Sequence, residues 1–422
     1  MMSFKTMVRP IFILLLVGHG KILLTAVLAS EYLDLSQDFQ EAPVIYNNNE
    51  GATVLLEAAT NSKALLNFEN LVMGYLVVEN GLKVAEYYNP SYNMTNTTIN
   101  AIYSVNKSFT GLCFGIMEYL GLIALNETLL DIWPLTSHGD MWNQVSEANL
   151  RQAITIESLL VHTSGFDDPA LDSIDFQNLG GSNLTDALNF PQYLGDDQVG
   201  KFAYLAFANI LSYVVYERTG RPIQEFMQEN YFDLIGISPD EYSWATNQEG
   251  MGYSRNGLSL SIPQMAKWGQ TYLQNGFVNN MSIIVAADWV ERATTSKVEM
   301  PESDLLYQAL DSQGKLYYGY MLPLWMDDGQ LSHYCAYGAS GQWICVWPKL
   351  SRVAACQTNI SSSTIGSLFV ETVHSLTFER SVSTNGSDES SQNSSGTKTF
   401  VFTPFDRLLL LFTSSIILLT LA

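Results

Sequence analysis

The chain has 422 residues and sets 20 Lys+Arg against 42 Asp+Glu, a formal charge of −22 with an isoelectric point near 4.4. That balance excludes a nucleic-acid binder, whose phosphate contacts need a basic surface. Apolar residues make up 47% and charged residues 15%, so the chain can bury a large core and is neither disordered nor fibrous. Four Cys are too few for a disulfide framework, and the five His fall singly, with no second ligand at metal-site spacing. No metal or cofactor is expected.

In chain order, Lys5 and Arg9 precede an apolar run from Ile11 to Leu28 that closes on Ala29, the layout of a signal peptide over residues 1–29. A membrane anchor is the rival reading, because the run is long for a leader. Sequons at Asn93, Asn96, Asn106, Asn126, Asn183, Asn280, Asn359, Asn385 and Asn393 fit a secreted glycoprotein. The body follows over residues 30–380. Leu71 to Val78 and Leu82 to Tyr88 flank Asn80-Gly81, a pair suited to the positive-φ turn of a tight hairpin. Helical spacing dominates from Val105 to about Arg292, including Phe109 to Leu122, Ala208 to Arg218 and Ile262 to Leu273. Lys315 to Met326, Trp343 to Trp347 and Val353 to Thr358 read as strands. The expected fold class is α+β: an antiparallel sheet built from N- and C-terminal segments, flanked by helices, with a mostly helical insertion over about residues 125 to 300. A Ser/Asn-rich tether over 381–399 leads to an apolar tail over 400–422, which matches the layout of a GPI-attachment signal or, as the alternative, a C-terminal membrane anchor.

The chemistry turns on Ser-x-x-Lys, which occurs at Ser104 to Lys107, Ser312 to Lys315 and Ser395 to Lys398. The second lies on a glycine turn and the third in the tether, whereas the first opens an apolar helix. There Lys107, one turn on, can reach the Ser104 hydroxyl, and a desolvated amine can take its proton. The bland alternative is Ser104 as a helix cap beside a solvated lysine. Cys345 and Cys356 fall opposite each other if the hairpin at Pro348 turns at Leu350-Ser351, which makes them a candidate disulfide pair. Cys113 reads as core.

Four stretches in order resemble the penicillin-binding-protein-like serine hydrolases, the family of class C β-lactamases. They are the Leu159-Leu-Val-His162-Thr-Ser-Gly165 run, Gly200-Lys-Phe-Ala-Tyr204, Gly257-Leu-Ser-Leu-Ser-Ile-Pro-Gln-Met-Ala-Lys-Trp-Gly269 and Gly338-Ala-Ser-Gly-Gln342, the last in the style of 6-aminohexanoate-dimer hydrolases, and they follow Ser104-Val-Asn-Lys107 along the chain. The resemblance covers about residues 68 to 375. It implies a β-lactamase/transpeptidase-like fold with Ser104 as nucleophile and Lys107 and Tyr204 in proton transfer. The backbone N–H groups of Ser104 and Ala339 would form an oxyanion hole. Tyr337, Gly338, Ser340, Trp343 and Asn209 would be substrate-pocket candidates, with Trp325 a further wall. His162 is read as a structural hydrogen-bonding residue. A rival alignment places Phe207-Ala-Asn209 on the tyrosine motif. Where β-lactamases have Lys-Thr-Gly this chain has Ala336-Tyr337-Gly338, which removes the cation that pairs with a β-lactam carboxylate. The expected substrate is a small-molecule or peptide-like ester or amide. A catalytically inactive surface binding or scaffold module is the alternative.

Overall fold

The computed structural model describes residues 13–18, 21–26, 32–47, 72–146, 154–168, 182–205, 209–310, 315–359, 370 and 373–374. Residues 13–18 and 21–26 pair as an antiparallel hairpin inside the segment read as a leader. Contacts divide the chain between Arg380 and Ser381; the tether and the apolar tail lie outside the described residues, as does the Ser395-Gly-Thr-Lys398 match.

Nine strands form one sheet: β1 (Gln40–Asn47), β2 (Val72–Glu79), β3 (Leu82–Tyr88), β4 (Val298–Glu299), β5 (Leu316–Tyr318), β6 (Pro323–Asp327), β7 (Gln330–Gly338), β8 (Gln342–Trp347) and β9 (Arg352–Thr358). Their order is β4-β5-β6-β7-β8-β9-β2-β3-β1, so the N-terminal hairpin docks beside the C-terminal strand. Asn80 and Gly81 take φ of 51° and 78° and pair Glu79 with Leu82 across a two-residue turn, the conformation whose twist suits adjacent antiparallel strands. Two expectations change. The outermost strand β1 runs parallel to β3, so the sheet is not wholly antiparallel. The stretch from Lys315 to Met326 is two strands, because the chain reverses between Gly319 and Leu322, where Met321 adopts φ 56°.

Side chains alternate across the sheet with the period of two that strands impose. On one face Leu76, Val78, Ala336, Ile344, Val346, Val353 and Ala355 join the helical core. On the other, Tyr75, Val77, Cys335, Trp343, Cys345, Trp347 and Cys356 form a second core. Helix α1 (Asn106–Tyr119) is central to the first core and begins three residues earlier than Phe109, which puts Lys107 inside it. Its Gly111 and Gly115, one turn apart, admit Tyr320 and Trp289 at close range; a Cβ on Gly115 would lie 2.5 Å from the Trp289 ring. Shorter elements in the insertion include α2 (Ile156–Leu160) and α3 (Ile210–Thr219). Helix α4 (Ile262–Leu273) has the expected limits, since Ser261 and Gln264 form a capping box. It lies on the sheet where Gly269 lets Val353 approach. Helix α5 (Leu305–Leu310) packs on the second core.

The disulfide expectation is corrected. Trp347 pairs with Arg352, which centres the hairpin between Lys349 and Leu350, so Cys345 faces Ala354 and Cys356 faces Trp343. Cys345 is instead directly across from Cys335 on β7 and is bonded to it, while Cys356 and Cys113 are buried thiols. Among the described residues no helix is long and apolar enough to cross a membrane.

Candidate active site

Ser104 sits in a single tight turn, Tyr103–Val105, that runs into α1. It makes no helix cap; the residue before α1 is Val105, which has no side-chain cap bond. Tyr103 takes φ 48°, an unusual conformation for a bulky residue and one found at functional turns. Lys107 follows one turn on and is only 2% exposed. Its Nζ shares a hydrogen bond with Ser104 Oγ at 3.2 Å, bonds the Arg255 carbonyl oxygen at 3.3 Å, and lies 4.8 Å from the centroid of the Tyr204 ring. Burial lowers the amine to about 7, helped by the Arg255 charge and opposed by Asp168. Ser312 lies outside the described residues, and Lys315 is exposed and ion-paired to Glu299.

Tyr204 completes the group from a segment 100 residues downstream of Ser104. Burial pushes its pKa well above the ordinary tyrosine value, opposed in part by the nearby Ser104 hydroxyl. The segment is held by the histidine turn after α2. Gly200 N–H donates to Thr163 O at 2.8 Å, Ala203 N–H to His162 O at 2.9 Å, and Leu205 N–H to His162 Nδ1 at 3.1 Å. His162 thus acts as a bracket. Its ring lies 4.9 Å from that of Tyr204 at a tilt of 52°, and burial and the Lys107 charge keep it neutral. Asp304 accepts the Tyr204 N–H at 3.3 Å.

The third side is the end of β7. A Cβ on Gly338 would lie 3.2 Å from the Ser104 backbone nitrogen, so strand and nucleophile turn meet backbone to backbone. Ala339, Ser340 and Gly341 form the turn into β8, with φ of 60° at Ser340 and 73° at Gly341. Gln342 Nε2 donates to Ser340 O at 3.1 Å and to Thr358 O at 2.9 Å, and Thr358 Oγ1 donates to Ser340 O at 2.6 Å. The Gly338 to Gln342 block is therefore a braced hairpin turn carrying Ala339 at the surface beside Ser104.

Of the pocket candidates, Tyr337 is half-buried, and its charge would act on Tyr204. Trp343 does not line the cleft. It is 1% exposed, in the second core, with its ring 4.6 Å from Tyr337. Asn209 is also buried; its Oδ1 accepts Ser254 N–H at 2.8 Å and Ser254 Oγ–H at 2.9 Å, so it braces the segment before Arg255. Both departures follow from neighbours far along the chain. Trp325 is half-buried, stacked 4.8 Å from His333. Sequence reasoning missed Asp168, Arg255 and Asp304, for which no local pattern gives a signal.

The family model for Beta-lactamase matches residues 71–365. A protein assigned as a 6-aminohexanoate-dimer hydrolase from Bacillus anthracis is 18% identical with TM-score 0.56, over 74% of this chain and 80% of that one. The octameric penicillin-binding protein homologue from Pyrococcus abyssi is 18% identical with TM-score 0.54, over 77% and 76%. EstCE1, a hydrolase with promiscuous acyltransferase activity, is 15% identical with TM-score 0.59, over 77% and 98%. A search of curated proteins found no match. A match over most of the body, on a sheet and helical insertion of the β-lactamase/transpeptidase type, makes this chain a member of the β-lactamase family, a serine hydrolase of that type.

Proposed function

We propose that the protein is a secreted, surface-anchored hydrolase that cleaves an uncharged or weakly polar ester or amide through an acyl-enzyme on Ser104. The observation that carries the reading is the buried Lys107 amine 3.2 Å from Ser104 Oγ. An amine that titrates near 7 is substantially neutral at neutral pH. It can take the Ser104 proton as the oxygen attacks the substrate carbonyl. The N–H groups of Ser104 and Ala339 would hold the oxyanion; losing one such donor typically costs about 3–4 kcal/mol of barrier. Tyr204, kept a neutral phenol by burial beside the Ser104 hydroxyl, would pass a proton to the leaving group. Water would then be deprotonated by the same groups and release the acid.

The substrate class follows from what β7 lacks. Ala336-Tyr337-Gly338 offers no cation to a β-lactam carboxylate, and the carboxylates near the site, Asp168 and Asp304, would repel one. Antibiotic hydrolysis is therefore not the proposed activity, and Tyr337 would present an aromatic wall to a neutral acyl group. The structural likeness to EstCE1 supports acyl transfer on this fold. A fluorophosphonate probe followed by peptide mapping tests the reading. Wild type should label on Ser104, and Ser104→Ala and Tyr204→Phe should lose label; an unlabelled wild type, or equal labelling of Ser104→Ala, removes it. Surface anchoring rests on the leader, the sequons and the tail. Release from membranes by phosphatidylinositol-specific phospholipase C supports a GPI tail, and resistance points to a spanning one.

A further inference from the structure

Arg255 lies outside the catalytic motifs, yet it meets Lys107 in two ways. Its carbonyl oxygen accepts from Lys107 Nζ at 3.3 Å. Its side chain, 2% exposed, lines a small cavity together with Lys107, His162, Leu205 and Met321. The rings of Phe190 and Tyr253 flank the guanidinium at 5.8 and 5.9 Å. The surrounding backbone is tied to α1, the helix that carries Lys107. Asn106 Nδ2 donates to Tyr253 O at 3.1 Å, Thr110 Oγ1 donates to Ser254 O, and Leu258 N–H donates to Asn106 Oδ1 at 3.1 Å. Burying a guanidinium carries a desolvation cost, and here it is borne beside the buried Lys107 amine.

We propose that Arg255 is a positioning residue for acylation: its carbonyl fixes the place of the Lys107 amine, and its buried charge opposes a second positive charge there, so that Lys107 meets Ser104 as a proton acceptor. The inference rests on the reading of Ser104 and Lys107 as nucleophile and base. Among the described residues, the groups that act on Lys107 include Ser104 from the turn before α1, Tyr204 from the segment ahead of α3, His162 from the turn after α2, Asp168 beyond it, and Arg255. Tyr204 and His162 are held neutral by burial. Of the charged groups named, the Arg255 cation and the Asp168 carboxylate act on Lys107 in opposite directions. Asp168 also acts on Arg255 itself, favouring its charged form.

The test uses two readouts in the full folded chain: the pH dependence of fluorophosphonate acylation at Ser104, and the 13Cε titration of Lys107 in lysine-labelled protein, assigned with Lys107→Met. The wild-type midpoint should fall near pH 7 in both. Arg255→Gln should raise it by about one pH unit or more. Acylation at pH 6.5 should then drop about tenfold while the alkaline plateau is kept, whereas Arg255→Lys should stay within a few tenths of a unit of wild type. Should Arg255→Gln not melt cooperatively, Arg255→Met is the neutral variant to read. An unmoved midpoint in the neutral variant, or an equal shift in Arg255→Lys, overturns the proposal. The Lys107 titration needs no turnover, so the two readings fail separately. Labelled wild type with an unmoved neutral-variant midpoint removes Arg255 alone, and unlabelled wild type removes the hydrolase.

Discussion

Gly338 and Ile102 touch backbone to backbone: a Cβ on residue 338 would collide with the Ile102 carbonyl oxygen and stand 3.2 Å from the Ser104 nitrogen. The contact lies next to both N–H groups proposed to hold an oxyanion, those of Ser104 and Ala339. Gly338→Ala should therefore push the braced turn away from Ser104 and slow fluorophosphonate acylation by at least about tenfold. The thermal midpoint should fall by only a few degrees. Wild-type acylation kinetics in this variant would show that Ala339 plays no part.

Lys107 trades stability for chemistry. Its folded value of about 7 lies below the ordinary 10.5, so between those limits the unfolded chain binds a proton that the folded chain does not. Stability should rise with pH across that window, and the full burial cost is carried below about pH 7. Lys107→Met removes the titration. It should melt several degrees above wild type at pH 6, by a margin that shrinks toward pH 10, and should lose acylation altogether. Thermal melts at pH 6, 8 and 10 measure this, and a margin independent of pH would contradict it.

His162 holds the Tyr204 segment without titrating. His162→Ala leaves the Leu205 N–H unpaired in a buried place and opens a cavity, together about 2–4 kcal/mol. Denaturant melts should show that loss, and acylation should slow. The pH profile should keep a single limb, moved upward as water reaches Lys107 through the opened cavity, and should lose none near pH 6, because burial keeps the imidazole neutral. Loss of a limb near pH 6 in this variant would instead identify His162 as a base.

Cys335 and Cys345 close a short loop across β7 and β8. Replacing both with Ala should cost about 2–3 kcal/mol on the loop-entropy scale. Non-reducing peptide maps should link these two and leave Cys356 alkylated only after denaturation, because its thiol is buried. A Cys345–Cys356 peptide would refute the register.

Glycan occupancy separates the sequons. The Asn106 side chain is buried, donating to Tyr253 O and accepting from Leu258 N–H, whereas Asn93, Asn96, Asn126, Asn280 and Asn359 are exposed. Glycopeptide mass spectrometry of protein from a secretory host should find Asn106 bare. Sugar on Asn106 would mean that this helix end is open and the cleft unformed.

Local order was readable wherever a period or a turn residue dictates it. Asn80-Gly81 specified its hairpin, Ser261 and Gln264 set the start of α4, and short apolar runs placed β2, β8 and β9 within a residue or two. The misreadings were of register and partner. One hairpin centred a residue away from its expected position moved the disulfide from Cys356 to Cys335. Trp343 and Asn209 carried residue types suited to a pocket and were claimed by the core.

Ser104 and Lys107 stand three apart in the chain, and helical geometry alone brings such side chains together, so the amino-acid order determined that pair. Whether the amine is dry was decided elsewhere, by Tyr204 and His162 from the insertion and by Arg255, 148 positions beyond Lys107. Desolvation and Coulomb fields depend on distance in space. The spacing of residues along the backbone carries no record of which distant segments will close over a given side chain.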